Sequence, residues 1–186
     1  MQSMIRLALF AAATAAIFGL SSRSLRSFRV HGFYRFFAFE LLLALILLNL
    51  PVWFRNPFSA RQLASYFLGA VSIALAIEGF RLLLVIGKPS RVGAQDTNLD
   101  FENTTTLVTT GAYRFICHPL YASLLALAWS VFLKAPAAAF NIALAVSATG
   151  FLVATAVAEE GENLTRFGAA YAAYIKRTRR FVPFLF

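Results

Sequence analysis

The groups best able to do chemistry in this sequence lie at the ends of two neighbouring apolar runs. His118 precedes Pro119 at the start of one run, and the adjacent Glu159 and Glu160 close the next run. Imidazole and carboxylate groups exchange protons, bind cations and form hydrogen bonds. Each also has a structural interpretation, because His118 can cap a helix and charges often mark the boundary of a membrane span. Their chemistry depends on whether the fold brings these two ends together.

The composition indicates an integral membrane protein. Of the 186 residues, 60% are hydrophobic and only 13% are charged, whereas soluble domains carry about 25% charged residues. The formal net charge of +9 would suit nucleic acid, but the basic residues lie between apolar runs, where they would meet anionic lipid headgroups. The hydropathy therefore argues against a nucleic-acid partner. The single cysteine, Cys117, excludes an internal disulfide and is expected to be a small buried residue.

Five apolar segments are candidates for transmembrane helices, since a span needs about 20 mostly apolar residues. They cover residues 3–20, 36–54, 62–86, 120–133 and 137–158. The first is also compatible with a signal peptide, because a basic residue is followed by an apolar run. The fourth is short, and the tight connection after it predicts a helical hairpin with the fifth. The sequence thus predicts an all-α integral membrane protein with about five transmembrane helices.

Basic residues are unevenly shared between the two sides that five spans would create. Most of them lie in residues 21–35, 87–119 and 166–180, and five spans place all three segments on one side. Loops rich in Lys and Arg are retained in the cytoplasm. We therefore expect a multi-pass protein with its N-terminus outside and its C-terminus and active site in the cytoplasm.

The hairpin is expected to bring His118 beside the two glutamates, at the cytoplasmic face. The polar segment before it is long for a simple connection and can fold over the hairpin mouth. Apolar residues after the glutamates recur at helical spacing, which predicts an amphipathic helix. We divide the chain into residues 1–86, three N-terminal transmembrane helices, and residues 87–186, the loop, hairpin and amphipathic helix that form a cytoplasmic cofactor pocket.

Two motifs around this hairpin resemble those of the isoprenylcysteine carboxyl methyltransferase family and the related phospholipid N-methyltransferases. The first family motif, G-x-Y-R-x-x-R-H-P-x-Y, is similar to "GAYRFICHPLY" here. The second, E-E-x-x-L-x-x-x-F-G-x-x-Y-x-x-Y, is similar to "EEGENLTRFGAAYAAY", with the leucine one place later. The resemblance covers the chain from residue 111 onward, and the first three spans match only as generic membrane helices.

The resemblance implies an S-adenosylmethionine-dependent methyltransferase. Its acceptor would be a lipid or prenylated small molecule from the membrane, either a prenylcysteine-type carboxylate or a phospholipid-type amine. Catalysis would consist largely of positioning, and no particular catalytic residue is implied. The cofactor would be held by Tyr113, Arg114, His118, Tyr121, Glu159 and Glu160. The substrate would contact Tyr171 and Arg177.

Cys117 departs from the family motif, because it stands where an arginine directly precedes His-Pro. Arg114 or Arg91 could take the place of that arginine. Two other functions fit the membrane pattern: a sterol-reductase-like enzyme that uses NADPH, and a non-catalytic membrane scaffold. No GxGxxG, P-loop, HExxH or CxxC pattern is present, so no metal site is expected. His31, in a basic loop, is expected to be solvated.

Overall fold

The computed structural model describes residues 2–90 and 95–183, and regular secondary structure in those residues is helical apart from two isolated β-bridges. Two short 3₁₀ segments, Asp100–Glu102 and Gly111–Arg114, lie in the loop that precedes the fourth helix. The α-helices are α1 (Gln2–Ser21), α2 (His31–Asn49), α3 (Ala60–Val85), α4 (Pro119–Phe132), α5 (Ala139–Phe167) and α6 (Ala169–Ile175).

Local sequence explains where several helices begin and end. Ser59 caps α3, because its hydroxyl accepts a hydrogen bond from the backbone N–H of Gln62 at 3.4 Å. Pro119 opens α4, where its missing N–H costs nothing and its fixed φ suits the first turn. Gly168 separates α5 from α6 with φ 55° and ψ −132°, a conformation that residues with a Cβ rarely adopt.

The helices form a bundle in which α2 packs mainly against α5, α3 packs mainly against α4, and α1 lies against α2. Small residues lie in the core where α2 and α5 pack: Ala38 on one helix and Ala145 and Ala148 on the other are fully buried, together with Leu45 and Leu152. Because lipid provides little hydrophobic drive for helix association, close approach at small residues supplies the packing energy.

Four of the five predicted spans are confirmed as helices long and apolar enough to cross a membrane. The fourth predicted span, residues 120–133, is α4, which has 14 residues and is as short as the sequence indicated, so it is not one of these four helices. At about 1.5 Å per residue it reaches roughly 21 Å, short of a hydrocarbon core of about 30 Å. A short helix between longer neighbours leaves space in the bundle above one of its ends.

The described contacts divide the bundle into two ends. At one end Asn49 hydrogen-bonds Asn141, and Lys134 donates to Gln62 at 3.2 Å. At the other end, here called the polar end, the α1–α2 connection, the loop before α4 and the last turns of α5 meet. The three predicted basic segments do gather there, through contacts that include Ser24 with Thr97, His31 with Glu162 and Arg166 with Glu102. The side of the membrane on which this end lies stays a prediction.

The glutamates that close the predicted fifth span do not end the helix. Helix α5 continues through them to Phe167, giving 29 residues. Among the described residues after Glu160, backbone with positive φ occurs only at Gly168. The predicted amphipathic helix is therefore the last part of α5 followed by α6. At about 1.5 Å per residue, α5 exceeds a hydrocarbon core of about 30 Å, so its glutamates fall near the membrane boundary.

Candidate functional site

A cavity of about 820 Å³ occupies the polar end of the bundle. This volume lies within the range of about 300–1,000 Å³ that is typical of small-molecule sites. Its walls come from α2, α3, the loop before α4, and helices α4, α5 and α6. The polar lining residues are Arg35, Arg81, Glu102, Thr104, Tyr113, Cys117, His118, Tyr121, Ser123, Glu159, Asn163, Tyr171 and Tyr174.

The cavity is polar at one end and apolar at the other. Its apolar wall includes Ile77, Phe80 and Leu84 of α3. The same three side chains are 64%, 43% and 46% exposed, so the cavity extends to the outward face of α3. Since α3 is one of the helices able to cross a membrane, this arm can admit an apolar chain.

The predicted meeting of His118 with the two glutamates is confirmed. His118 Nε2 lies 3.4 Å from Glu160 Oε1, and His118 Nδ1 lies 3.9 Å from Glu159 Oε2. The His118 ring stacks on Tyr121 with centroids 5.5 Å apart. Burial would lower the pKa of His118, but hydrogen bonds with Cys117 and Glu160 and the charge of Glu159 outweigh it and raise the pKa to about 10.

Arg180, which the sequence analysis treated only as part of a basic flank, holds Glu160 in a two-point ion pair. Its Nε and Nη2 donate to the two carboxylate oxygens at 2.8 and 3.0 Å. The C-terminal segment reaches this position because it pairs with the backbone before α4: Cys117 N–H donates to Arg179 O at 2.7 Å, and His118 N–H donates to Arg180 O at 3.2 Å. Glu160 is therefore held in place by Arg180 and His118.

Glu159 lines the cavity and is less engaged than Glu160. Its described partners are Asn163, whose amide donates at 3.4 Å, the His118 ring at 3.9 Å and the Tyr121 hydroxyl. Burial raises the pKa of Tyr113 and Tyr171, and the negative charge of Glu159 raises both further. This carboxylate therefore acts on both sides of the cavity and remains able to accept hydrogen bonds from a cationic ligand.

The tyrosines that line the cavity differ in the hydrogen bonds of their hydroxyl groups. The Tyr174 hydroxyl donates to Tyr113 O at 2.7 Å, which ties α6 to the loop before α4. The Tyr171 hydroxyl is buried and makes no hydrogen bond of acceptable geometry to the described residues, although the Asn163 amide is close enough to offset part of the rise in its pKa. A buried hydroxyl without a well-formed hydrogen bond is able to form one with a ligand.

A second ionic cluster, which the sequence analysis missed, joins the loop to the helices. The prediction that His31 is solvated is wrong, because His31 is 1% exposed. His31 Nδ1 lies 2.8 Å from Glu162 and Nε2 lies 3.3 Å from Glu102, while Arg35 forms an ion pair with Glu102. Burial would raise the pKa of Glu102, but the His31 hydrogen bond and the charges of Arg35 and His31 lower it to about 2. His31, Arg35, Glu102 and Glu162 are called the loop ion cluster below.

The remaining predicted site residues lie away from the cavity. Arg114 is exposed and rests over the ring of Phe115 at 5.8 Å. Arg177 is exposed on the segment after α6 and does not line the cavity. Arg91 lies outside the described residues. Tyr113, His118, Tyr121, Glu159 and Tyr171 do line it.

The chemistry of the lining suits a cationic, amphipathic ligand better than a polyanion. Arg35 faces the cavity but is paired with Glu102, and His118 is paired with Glu160. Glu159 and the Tyr171 hydroxyl retain bonding capacity. Comparisons with family models, with curated proteins and with solved structures found no match.

Proposed function

We propose that this protein is a membrane-embedded S-adenosylmethionine-dependent methyltransferase that acts on a lipidic acceptor. The observation that supports this most directly is the cavity itself. It joins residues of both family-like motifs, with the less engaged carboxylate of Glu159 and the buried Tyr171 hydroxyl at one end and an apolar arm that reaches the outward face of α3 at the other.

Charge supports a sulfonium cofactor over NADPH, the cofactor of the sterol-reductase alternative. NADPH carries several phosphate charges and needs cations that are free to receive them. Of the described cations that line the cavity, Arg35 and His118 are taken by carboxylates. Arg81 lies on the outward side, 3.8 Å from Glu78 and 71% exposed. The less engaged charge at the polar end is the negative Glu159.

Each residue has a definite task in this proposal. Glu159 accepts hydrogen bonds from the cofactor ammonium or ribose, and the Tyr171 hydroxyl supplies a further hydrogen bond. Glu160 acts indirectly, since it fixes the His118 ring and Arg180. The stacked rings of His118 and Tyr121 form a flat wall. Arg114 and Arg177 are not assigned a contact, because neither lines the cavity.

The cofactor, when bound, supplies an electrophilic methyl group on its sulfonium. The protein then aligns an acceptor with that methyl and excludes water from the path. A carboxylate acceptor is already ionised near neutral pH and needs no base. An amine acceptor must lose a proton, and Glu159 is the cavity carboxylate able to receive it. Both acceptors carry an apolar chain that the arm beside α3 can hold.

Calorimetric titration of the detergent-purified protein tests the proposal. We expect saturable binding of S-adenosylmethionine and S-adenosylhomocysteine, and no binding of NADPH. The variant Glu159→Gln should weaken the affinity for S-adenosylmethionine by at least about tenfold, since hydrogen bonds to charged groups contribute about 1.5–3 kcal/mol. If Glu159 binds the ammonium, which both adenosyl ligands carry, the substitution should weaken the binding of both equally. If Glu159 faces the sulfonium, only the binding of S-adenosylmethionine should weaken.

Glu78→Gln is the matched control, because Glu78 is also a carboxylate paired with a cation, Arg81, but is not among the residues that line the cavity. It should bind both ligands as the wild type does. Absence of binding by either adenosyl ligand would refute the methyltransferase proposal. Binding of NADPH alone would favour a reductase, and binding of none of the three would favour a scaffold.

A further inference from the structure

Cys117, His118 and Glu160 bring three different metal-binding groups together at the polar end. One ligand atom from each residue lies within 4.8 Å of the other two. All three side chains are shielded, since Cys117 is 8% exposed, His118 is 5% exposed and the Glu160 side chain is 13% exposed. No metal-binding sequence motif predicts this group, because two of the residues are consecutive and the third lies on α5.

We propose that Cys117, His118 and Glu160 bind a divalent ion of the Zn²⁺ class. Thiolate, imidazole and carboxylate are the ligands that Zn²⁺ takes in proteins, and sites with three protein ligands leave a fourth position open. The inference stands apart from the proposed function, because methyl transfer from a sulfonium needs no metal. It concerns this chain in particular. The family motif has an arginine, which does not bind metals, at the place that Cys117 occupies here.

The distances suit a tetrahedral ion. With bonds of about 2.1 Å, tetrahedral geometry holds nitrogen and oxygen ligands about 3.4 Å apart. His118 Nε2 and Glu160 Oε1 are 3.4 Å apart. The Cys117 sulfur lies within 4.8 Å of a ligand atom of each of the other two residues, and a side-chain rotation can adjust its position. On binding, the Cys117 thiol and the His118 imidazolium each give a proton to the solvent, and the thiolate and the neutral imidazole bond the metal.

The surroundings of the trio resemble those of other metal centres. Arg180 donates to both oxygens of Glu160 and so fixes the orientation of that ligand, as outer partners of metal-binding carboxylates commonly do. Backbone hydrogen bonds from Cys117 and His118 to Arg179 and Arg180 fix the other two ligands. The positive charges of the metal and Arg180 would be balanced by the thiolate, Glu160 and the nearby Glu159.

The open coordination position would face the cavity, because Cys117 and His118 both line it. Tyr171 packs against Cys117 in the same buried cluster. Its hydroxyl is buried and makes no hydrogen bond of acceptable geometry to the described residues, although the Asn163 amide lies close to it. A water bound to the metal at the open position would give this hydroxyl a partner, so the orphaned phenol is a second observation that favours a ligand here.

Cobalt titration tests the site directly. The full-length protein, purified without a histidine tag and stripped with EDTA, is titrated with Co²⁺ while its absorption spectrum is recorded. We expect one equivalent to bind, with a near-ultraviolet thiolate-to-cobalt band and visible bands of tetrahedral intensity, all abolished by Zn²⁺. Cys117→Ser should lose the near-ultraviolet band, Glu160→Gln should bind Co²⁺ at least about tenfold more weakly, and Glu78→Gln should match the wild type.

A second measurement uses the fact that Cys117 is the only thiol in the chain. Zn²⁺ should slow the reaction of the wild-type protein with a maleimide, which needs no variant to fold. The proposal is overturned if Co²⁺ gives no thiolate band, or if Zn²⁺ leaves the maleimide reaction unchanged. Binding of adenosyl ligands is measured on the same samples, so a metal site without cofactor binding, or cofactor binding without a metal site, separates the two proposals.

Discussion

Glu102→Gln is the change that most directly tests how the loop before α4 is held over the cavity. Glu102 is the carboxylate that Arg35 and His31 share, and it also accepts a hydrogen bond from Leu99 N–H at 2.8 Å. Glutamine keeps the shape of the side chain but removes its charge. Arg35, which is 2% exposed, would then be a buried cation without its carboxylate.

The expected cost is large. Removing one partner of a buried ion pair typically costs about 3–5 kcal/mol, because the remaining charge stays buried and uncompensated. The unfolding free energy of a protein this size is about 5–15 kcal/mol. For a chain of this length, each kcal/mol corresponds to about 2–4 °C in unfolding temperature. We therefore expect Glu102→Gln to lower that temperature by roughly 6–20 °C.

The pH dependence follows from the lowered pKa of Glu102, which is about 2 in the folded protein against an ordinary value of 4.5. A carboxyl with a depressed folded pKa stabilises the folded state above its unfolded pKa, and that contribution fades as the pH falls through the folded value. The groups that face the Glu102 carboxylate are His31 and Arg35 from α2, and Glu162 lies on the other side of His31. Arg166 donates a hydrogen bond to the backbone carbonyl of Glu102. The stability difference between wild type and Glu102→Gln should be full above pH 4.5 and shrink towards pH 2.

Thermal unfolding in detergent, followed by intrinsic fluorescence and by circular dichroism, provides the assay. Asp96→Asn is the matched control, since Asp96 lies in the same loop but pairs with Arg23 at 3.7 Å, with both side chains mostly exposed. That variant should stay within about 0.5 kcal/mol of the wild type. Adding Arg35→Met to Glu102→Gln should recover part of the loss. If Glu102→Gln behaves like Asp96→Asn, the loop ion cluster does not hold the loop.

Two further predictions concern the joint between α5, α6 and the loop. Gly168→Ala should destabilise the protein by about 1–3 kcal/mol, because φ 55° and ψ −132° strain a residue with a Cβ. Thermal unfolding measures this loss of stability, and an unchanged unfolding temperature would contradict the predicted strain. Tyr174→Phe should cost about 1–2 kcal/mol, since it removes the 2.7 Å hydrogen bond to Tyr113 O; urea unfolding would detect it, with Tyr34→Phe, away from this joint, as the comparison.

The sequence alone determined the elements and their order. Hydropathy located the long apolar helices, because a span must be a run of apolar residues regardless of what it packs against. The uneven distribution of basic residues indicated which connections share an end of the bundle. The spacing of residues 111–121 and 159–174 brought His118, Glu159 and Glu160 forward as one candidate site. These are local patterns, which a single sequence can carry.

Only the tertiary structure decided which of those groups remain available to a ligand. Glu159 and Glu160 are neighbours in sequence, yet Arg180 from a distant segment occupies Glu160 and leaves Glu159 facing the cavity. His31 follows a basic segment in the sequence, which suggested a solvated position, but it opens α2 and contacts Glu102 and Glu162, 71 and 131 residues away. The assembly of Cys117 with His118 and Glu160 likewise depends on where α5 passes the start of α4. Contacts between segments far apart in the chain leave no spacing pattern, so these particular contacts could not be predicted from the sequence.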